Sequence, residues 1–599
     1  MADNLTFVSF LRPSLPTGDY TIDVAQDLKS VEPSTLVDPT TFTTTRTFSV
    51  AGERFTLPPT MVRSVFPPDG GLGDYAEVLP HVVLDRPTLP WERPATAASP
   101  TAPPWLVLLV FSGDEQPELK TVTLGTLATG EAYIPAPVLE QAQKAADPVN
   151  VIDVKRTLLA SIMPSLTDLE RLAHVRHGTE ETAVVIAGRL AVPGVPTTVH
   201  LVSVEGRYSD SGFVLGPDTA GAQVRLVTLA NWRFASVSQE HTFPYLARAL
   251  ADEGTPFRLP DSGVPAADGF LRQGYVPVGH ELRQGGRTVS WYRGPFVTGT
   301  SPADPRLGVR ASDELLRYHP AVGMLDLGYA SAWQLGRMLT LQHTTIARSV
   351  TAWKRRLSMA AGRDEPSDHP LDLVDIDVTV PGDVRAFLDD LATLRGVPLR
   401  YLVPDERLLP VETIRFLQLD PAWITHLLDG ATSIGRITRA DADRDRTHPV
   451  PVNTAPVTGA LIRSALVPGY PGLLIDAYAS ESGGTQLPVL RTERLSPTIL
   501  LCLFQGVLGR LDLHQPPQDQ HFGVELPSAG GVAKTLRTAD GSPGPSTPVQ
   551  ALPTTGVVPI TALADAMATV LNVQAATFDS GAFARQMIET AQRVTFLRT

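Results

Sequence analysis

The sequence predicts an α+β protein of several domains, and three observations carry that prediction. Short runs alternating at period two, rich in β-branched residues and broken by proline, dominate the first 135 residues. One stretch, 328–358, sets apolar residues at steps of three and four, the period of a helix. Strand-like and helix-like segments otherwise follow one another at irregular intervals, so a strict β-α-β wind is not supported. The 599 residues are enough for three or four domains of roughly 150 residues. They read as a β-rich N-terminal domain (1–135), a mixed α/β domain (136–310), a mainly helical domain (311–457) and a C-terminal α+β domain (458–599).

In the first of these, residues 20–24 and 41–57 alternate small, β-branched and polar residues. Residues 78–84 and 105–111 are apolar enough to be buried strands, and the Pro/Ala/Thr/Ser tract 94–104 reads as a loop or short stiff linker. The second domain carries expected helices at 137–146 and 166–174, the latter capped by Ser165 or Thr167. Expected strands follow at 182–190, 197–204, 224–230 and 288–292. In the third, Ala332, Leu335, Leu339, Gln342, Ile346, Val350, Trp353 and Leu357 form one stripe, widened by Trp333 and Met338. They predict a single core-packing helix about 45 Å long at ~1.5 Å per residue. A charged, proline-broken loop at 362–370 precedes helices at 381–394 and 422–428, and 440–456 reads as a linker. The last domain has expected strands at 472–478, 488–491 and 498–511, and helices at 561–571 and 581–594. Its Gly/Pro/Ser/Thr-rich tract at about 516–553 reads as a loop that is mobile or ordered only against a partner. No internal repeat is visible.

A composition of 43% hydrophobic and 19% charged residues excludes global disorder, and 47 glycines with 54 prolines predict many turns. Fifty basic against 63 acidic residues give a net charge of -13, the wrong sign for coating nucleic acid or anionic lipid, so no nucleic-acid partner is expected. Only six of the basic residues are lysine. That bias fits GC-rich codon usage, and it also fits a need for forked donors at permanent interfaces. The single cysteine, Cys502, lies in the apolar run 499–504 and reads as a small core residue. No apolar stretch reaches the ~20 residues of a membrane helix, so no transmembrane segment is expected. Residues 1–5 lack a basic, then apolar, leader pattern, so synthesis and assembly in the cytoplasm are expected, with release or anchoring of a particle left for later.

The candidate chemical motifs are weak. Gly71-x-Gly73-x-x-Ala76 fits a dinucleotide fingerprint, but no strand precedes it and no helix follows. Residues 530–535 resemble a phosphate loop, yet Ser528 and Ala533 stand where its glycines belong. Glu170, His174 and His177 share a helical spacing that could gather zinc ligands, but no fourth ligand or base is identifiable. Asp441, Asp443 and Asp445 copy the start of a calcium loop, with Arg446 at the glycine position and Val452 at that of the bidentate glutamate. Asp372, Asp375 and Asp377 read as a solvated segment as well. Asp512 and His514, with His521 beyond, suit acid–base work, but no nucleophile accompanies them. The carboxylates Asp405, Glu406 and Glu412 carry no specific signal. The sequence therefore assigns no catalytic, cofactor-binding or metal-ligating residue, and predicts a protein that is not an enzyme.

Aromatic–arginine–proline turns are more informative: 89–93, with Trp91 and Arg93; 290–295, with Trp291, Tyr292 and Arg293; and 402–407. Trp, Tyr and Arg are the anchors of protein interfaces, and the same residues also suit buried domain-junction turns. Both readings stay open.

Several segments together resemble a family of large uncharacterised bacterial proteins associated with phage-tail-like extracellular contractile injection systems. They are Leu79-Pro80-His81 through Leu89-Pro90-Trp91-Glu92-Arg93, residues 199–206, residues 290–295, residues 329–337, residues 429–436, and Glu493-Arg494-Leu495-Ser496-Pro497 through Leu503-Phe504. The resemblance implies a structural or accessory part of such a particle, at or around the baseplate or spike. It implies homo-oligomerisation, with the other subunits of the particle as partners, and carries no functional residues. Two alternatives remain: an adaptor or ligand-binding module of such a system, and a hydrolase whose site, around Asp512, His514 and His521, assembles only in the fold. An exposed aromatic patch confined to one domain would mark the first, and a deep pocket with two titratable groups of shifted pKa the second.

Overall fold

The structure is a computed structural model that describes residues 5–28, 40–96, 103–141, 143–219, 221–252, 257–282, 284–297, 307–361, 376–447, 455–516, 520–527, 529–538, 541–589 and 591–598. The fold is α+β and multidomain, with 27% helix and 34% strand. The chain divides into two compact units, each assembled from separated stretches: 1–242 with 517–590, and 243–516 with 591–599. Positions 136, 311 and 458, where divisions were expected, fall inside these units. Residues 97–102 of the tract 94–104, the loop 362–370, Asp372, Asp375, Val452 and Ser528 lie outside the described residues.

The first unit is built on two sheets. The antiparallel five-stranded one runs Thr6–Val8, Ala173–His177, Thr182–Ile186, His81–Leu84, Val62–Phe66. One face sets Val82, Leu84, Val175, Ala183 and Val185 against Leu106, Leu108 and Val110 of the second sheet. Its other face sets Val83, Val184 and Ile186 against Phe522 and the helices Ile560–Val570 and Ser580–Met587. Burial on both faces explains why these strands read as continuous apolar runs. The second sheet runs Leu106–Ser112, Pro196–Ser203, Gln223–Ser236, Pro148–Lys155, Leu119–Thr123, with Gly71–Gly73 parallel to Gln223–Ser236. The dinucleotide-like glycines are thus strand residues with no helix behind them.

Four expectations need correction here. Residues 78–84 form two strands, Val78–Leu79 and His81–Leu84, parted at Pro80, which has no N–H to give a ladder. The described residues of 137–146 contain no helix; Glu140 is drawn instead into an ion pair with Arg93. The helix at 166–174 ends earlier, as Leu166–Arg171, with Ser165 accepting from the Asp168 N–H at 3.1 Å, and His174 belongs to the next strand. The tract 516–553 carries strands: His521–Gly523 pairs with Val78–Leu79 and Ile588–Glu589, and Phe522, Val532 and Leu536 are fully buried.

The second unit centres on the antiparallel sheet Phe296–Val297, Thr413–Leu419, Val457–Arg463, Ile499–Gln505, Val489–Ser496. Leu417, Leu461, Leu501 and Leu503 face the helices Gly328–Gln342 and Pro421–Ala431. Ala460, Ile462, Cys502 and Phe504 face the helix Phe243–Asp252 and a sheet of Leu474–Tyr478, Arg510–His514 and Arg593–Leu597. Gly336 and Gly430 set the approach of the two helices. A Cβ at Gly336 would lie 1.8 Å from the Leu427 carbonyl oxygen, and one at Gly430 would lie 1.9 Å from that of Trp333.

The expected single helix over 328–358 is two, Gly328–Gln342 and Thr344–Ala361, broken at His343 (φ -97, ψ 87). Gly328–Gln342 packs on the Pro421–Ala431 helix and Thr344–Ala361 on the helix Gly382–Ala392, so the stripe serves two partners and bends between them. The stretch 498–511 is likewise divided at Gly506, whose φ of 119 few other residues adopt. The last helix ends at Met587 and gives way to strands. The linker expected at 440–456 begins as the helix Arg439–Thr447, which Thr438 and Asp441 cap reciprocally, at 3.2 and 2.9 Å.

Candidate interaction ribbon and buried arginine clamps

The strands Gly18–Leu28 and Thr40–Val50 pair in register over 11 residues each, and among the described residues no third strand joins them. At ~3.3 Å per residue the ribbon is about 36 Å long. Its two faces differ because the pleat separates odd from even positions. The odd face bears Asp19, Asp23 and Asp27, hydrogen-bonded across the ribbon by Ser49, Thr45 and Thr41. The even face bears Tyr20 stacked on Phe48, with Ile22, Val24 and Phe42. Ile22, Val24, Phe42 and Phe48 are 52%, 48%, 55% and 40% exposed.

The foot of the ribbon is held by Arg93. Its Nε donates to the Glu53 carbonyl at 2.8 Å and its Nη2 to that of Gly52 at 3.3 Å, fixing the chain just after the second strand. Its Nη1 also reaches Glu205 at 3.0 Å, and Arg54 donates to the same carboxylate at 2.7 Å. Trp91, two residues before Arg93, is buried beside Trp105 and Leu89.

The second turn is buried too. Trp291 stacks on Phe270 at 5.1 Å and 9°, and the Tyr292 hydroxyl donates to the Tyr401 carbonyl at 2.9 Å. Arg293 Nη2 donates to Asp420 at 2.6 Å, and Tyr329 donates to the same carboxylate at 3.2 Å. All five candidates, Trp91, Arg93, Trp291, Tyr292 and Arg293, therefore spend their polar or aromatic groups inside the chain. The segments 329–337 and 429–436 also meet, since Trp333 Nε1 donates to Asp429 at 2.9 Å and Arg337 Nη1 to the Ser433 hydroxyl at 3.0 Å.

The weak motifs do not converge. Glu170 stays on its helix, His174 is buried in a strand and His177 is exposed, bonded to Glu181. Asp441 and Asp443 pair with Arg444 and Arg446 along the helix Arg439–Thr447, and Asp445 pairs with Arg436 ahead of it. Asp512 is fully buried. Burial works against its charge, yet Arg510, Thr595 and Arg593 hold the carboxyl below its ordinary range. His514 pairs with Asp476 at 3.1 Å, while His521 belongs to the other unit. Asp405 is gripped by Arg407 at 2.6 Å, and Glu412 accepts from Ser464 at 2.6 Å. Among the described residues no group of three His, Cys, Asp or Glu is placed to hold a metal ion, and no helix is long and apolar enough to cross a membrane.

Two features escaped the sequence. Lys534 is buried, bonded to Glu589 and to the Gly523 carbonyl at 3.0 Å. His81, His174 and Arg176 gather on one sheet face, and the alternation His174-x-Arg176 between Ala173 and Val175 was the available signal. Comparison with known family models, curated proteins and solved structures finds no match for this chain.

Proposed function

We propose that this chain is a structural, non-catalytic subunit of a phage-tail-like contractile injection system, acting at or around the baseplate or spike and joining neighbouring subunits through its ribbon. The exposed ribbon carries the docking part of this reading and would serve an adaptor of such a system equally. A two-stranded ribbon is marginal alone in water, and one with Ile22, Val24, Phe42 and Phe48 on a single open face gains its stability by covering them. Full burial of a side chain of this size is worth about 1.5–3 kcal/mol, and these four are already about half covered. The acidic opposite face stays in water and leaves the apolar face as the one that docks. The choice of particle rests on the family resemblance of the six segments; several copies of the chain and the other tail subunits are the partners.

Light scattering on the full chain, alone and mixed with the products of neighbouring genes, tests the reading. A closed oligomer or a stable complex is expected, and the double variant Ile22→Asp, Phe42→Asp should abolish it while leaving circular dichroism unchanged. A 64 kDa monomer that ignores every neighbour, or complexes indifferent to the double variant, would overturn it.

A further inference from the structure

Among the buried arginines, Arg93, Arg189, Arg225, Arg293, Arg436 and Arg491 each reach a carboxylate, at 2.6–2.9 Å. Arg207 donates instead to the Arg225 and Val214 carbonyls at 3.2 Å, and Arg415 to that of Leu408 at 3.3 Å. Arg176 differs from them all. Its Nε and Nη2 are buried with no hydrogen-bond partner, and its guanidinium lies over the rings of Phe522 and Phe7 at 5.4 and 6.0 Å. No carboxylate offsets its burial, which lowers its pKa to about 10. The free Nε–Nη2 edge is the one with which Arg225 and Arg510 hold Asp153 and Asp512.

The polar atoms beside it are unpartnered as well. His174, two residues away on the same face, has both ring nitrogens buried and unpaired, and His81 has its Nδ1 in that state. A neutral imidazole brings one donor and one acceptor, so what the cluster lacks is a counter-charge for Arg176 rather than acceptors as such. Arg176 also lines a cavity of about 520 Å³ at the end of the five-stranded sheet. Thr182, its direct cross-strand neighbour, lines the cavity as well, as do Ser64, Val83 and Leu5. At the rim, Arg63 and Glu180 are already paired with each other, so neither is the missing counter-charge.

We propose that this cavity binds the oxyanion of a small ligand, a carboxylate or a phosphate, with Arg176 as its counter-charge. The hydroxyls of Thr182 and Ser64 are the further donors, and Val83 and Leu5 accept an apolar body. A guanidinium fork suits both anions, and the chain's other arginines use it for the first. The site is independent of the assembly reading, since either outcome of the ribbon experiment leaves it open to test.

The test is calorimetric titration of the full chain with sodium benzoate and, separately, with inorganic phosphate, at constant ionic strength against a chloride control. Saturable binding of at least one probe is expected, and which probe binds decides between a carboxylate and a phosphate ligand. Arg176→Met should weaken it at least tenfold, while Arg287→Gln, at an exposed arginine of the other unit, changes it less than threefold. Ser64→Phe, which fills the cavity from an exposed position and leaves Arg176 in place, should also abolish binding and decides the matter if Arg176→Met does not fold. No saturable heat with either probe, or equal binding by Ser64→Phe, would overturn the proposal.

Discussion

Arg93 holds Glu140 by two parallel bonds, Nη1 to Oε1 at 2.8 Å and Nη2 to Oε2 at 3.0 Å, across 47 residues of sequence. With the Glu53 and Gly52 carbonyls on the same guanidinium, one side chain fixes both the foot of the ribbon and the segment that was expected to be a helix.

Removing it should loosen both. Arg93→Met leaves Glu140 and Glu205 without their buried partner, but those carboxylates are 37% and 20% exposed, so the loss is about 2 kcal/mol rather than that of a fully buried pair. Urea denaturation should report that loss, and limited proteolysis should find new cleavage near residues 51–54.

The crossing of Gly328–Gln342 with Pro421–Ala431 admits no side chain at its centre. Gly336→Ala or Gly430→Ala must push the helices apart, and each should cost about 3 kcal/mol or more. Gly382→Ala is the control, because a Cβ there meets nothing within 4 Å; it should be neutral or stabilise by under ~1 kcal/mol. Thermal unfolding of the three variants distinguishes steric from helix-propensity effects.

Acidification should destabilise the fold before carboxylates of ordinary pKa titrate. Burial, and then Arg176, hold His81 and His174 neutral, well below the usual histidine pKa. Burial, helped by Arg233, brings His200 to about 4. A base depressed in the folded state binds its proton first in the unfolded chain. These three therefore contribute stability that is complete above pH ~6.5 and lost as pH falls below it, at up to about 1.4 kcal/mol per unit each. Glu77 opposes them, because burial raises it to about 7 and its contribution grows as pH falls from 7 toward 4.5. One carboxyl against three imidazoles leaves a net fall between pH 6.5 and 5. Urea midpoints across that range should show it, and His174→Phe, which preserves the stack on Phe7, should flatten the slope.

Cys502 offers a reporter for the second unit. Its thiol is fully buried, and burial pushes it up to about 12, so an aromatic disulfide reagent at pH 8 should leave it unmodified in the native protein. Modification should follow the urea transition. Labelling of the folded protein within minutes would show that the Ile499–Gln505 strand opens locally.

What could be read in advance follows physical range. The ribbon strands, the buried strands at 106–112 and 196–203 and the helix at Gly382–Ala392 carry their signal within a few residues. The Thr438-x-x-Asp441 cap was equally local and was overlooked. The break at His343 was not readable, since no glycine or proline marks it and the apolar stripe runs on through it. The segment 137–146, expected as a helix, is tied by Glu140 to Arg93, far off in sequence, and the orphaned guanidinium of Arg176 shows only when no acid is found beside it. Of the interface candidates, composition identified residues that matter to the fold but not the surface: the exposed apolar face sits on Ile22, Val24, Phe42 and Phe48, in a strand pair read only as period two.

The interleaving of the two units also sets an order of events at the ribosome. The sheet face carrying Val184 and Ile186 is covered by Phe522, Leu563, Phe583 and Met587, all of which lie beyond residue 516. A nascent chain must therefore extend through the whole of 243–516 while that apolar face has no native cover. At about 5–20 residues per second the wait lasts on the order of 14–55 s, long enough for a chaperone to occupy the face before its own helices arrive.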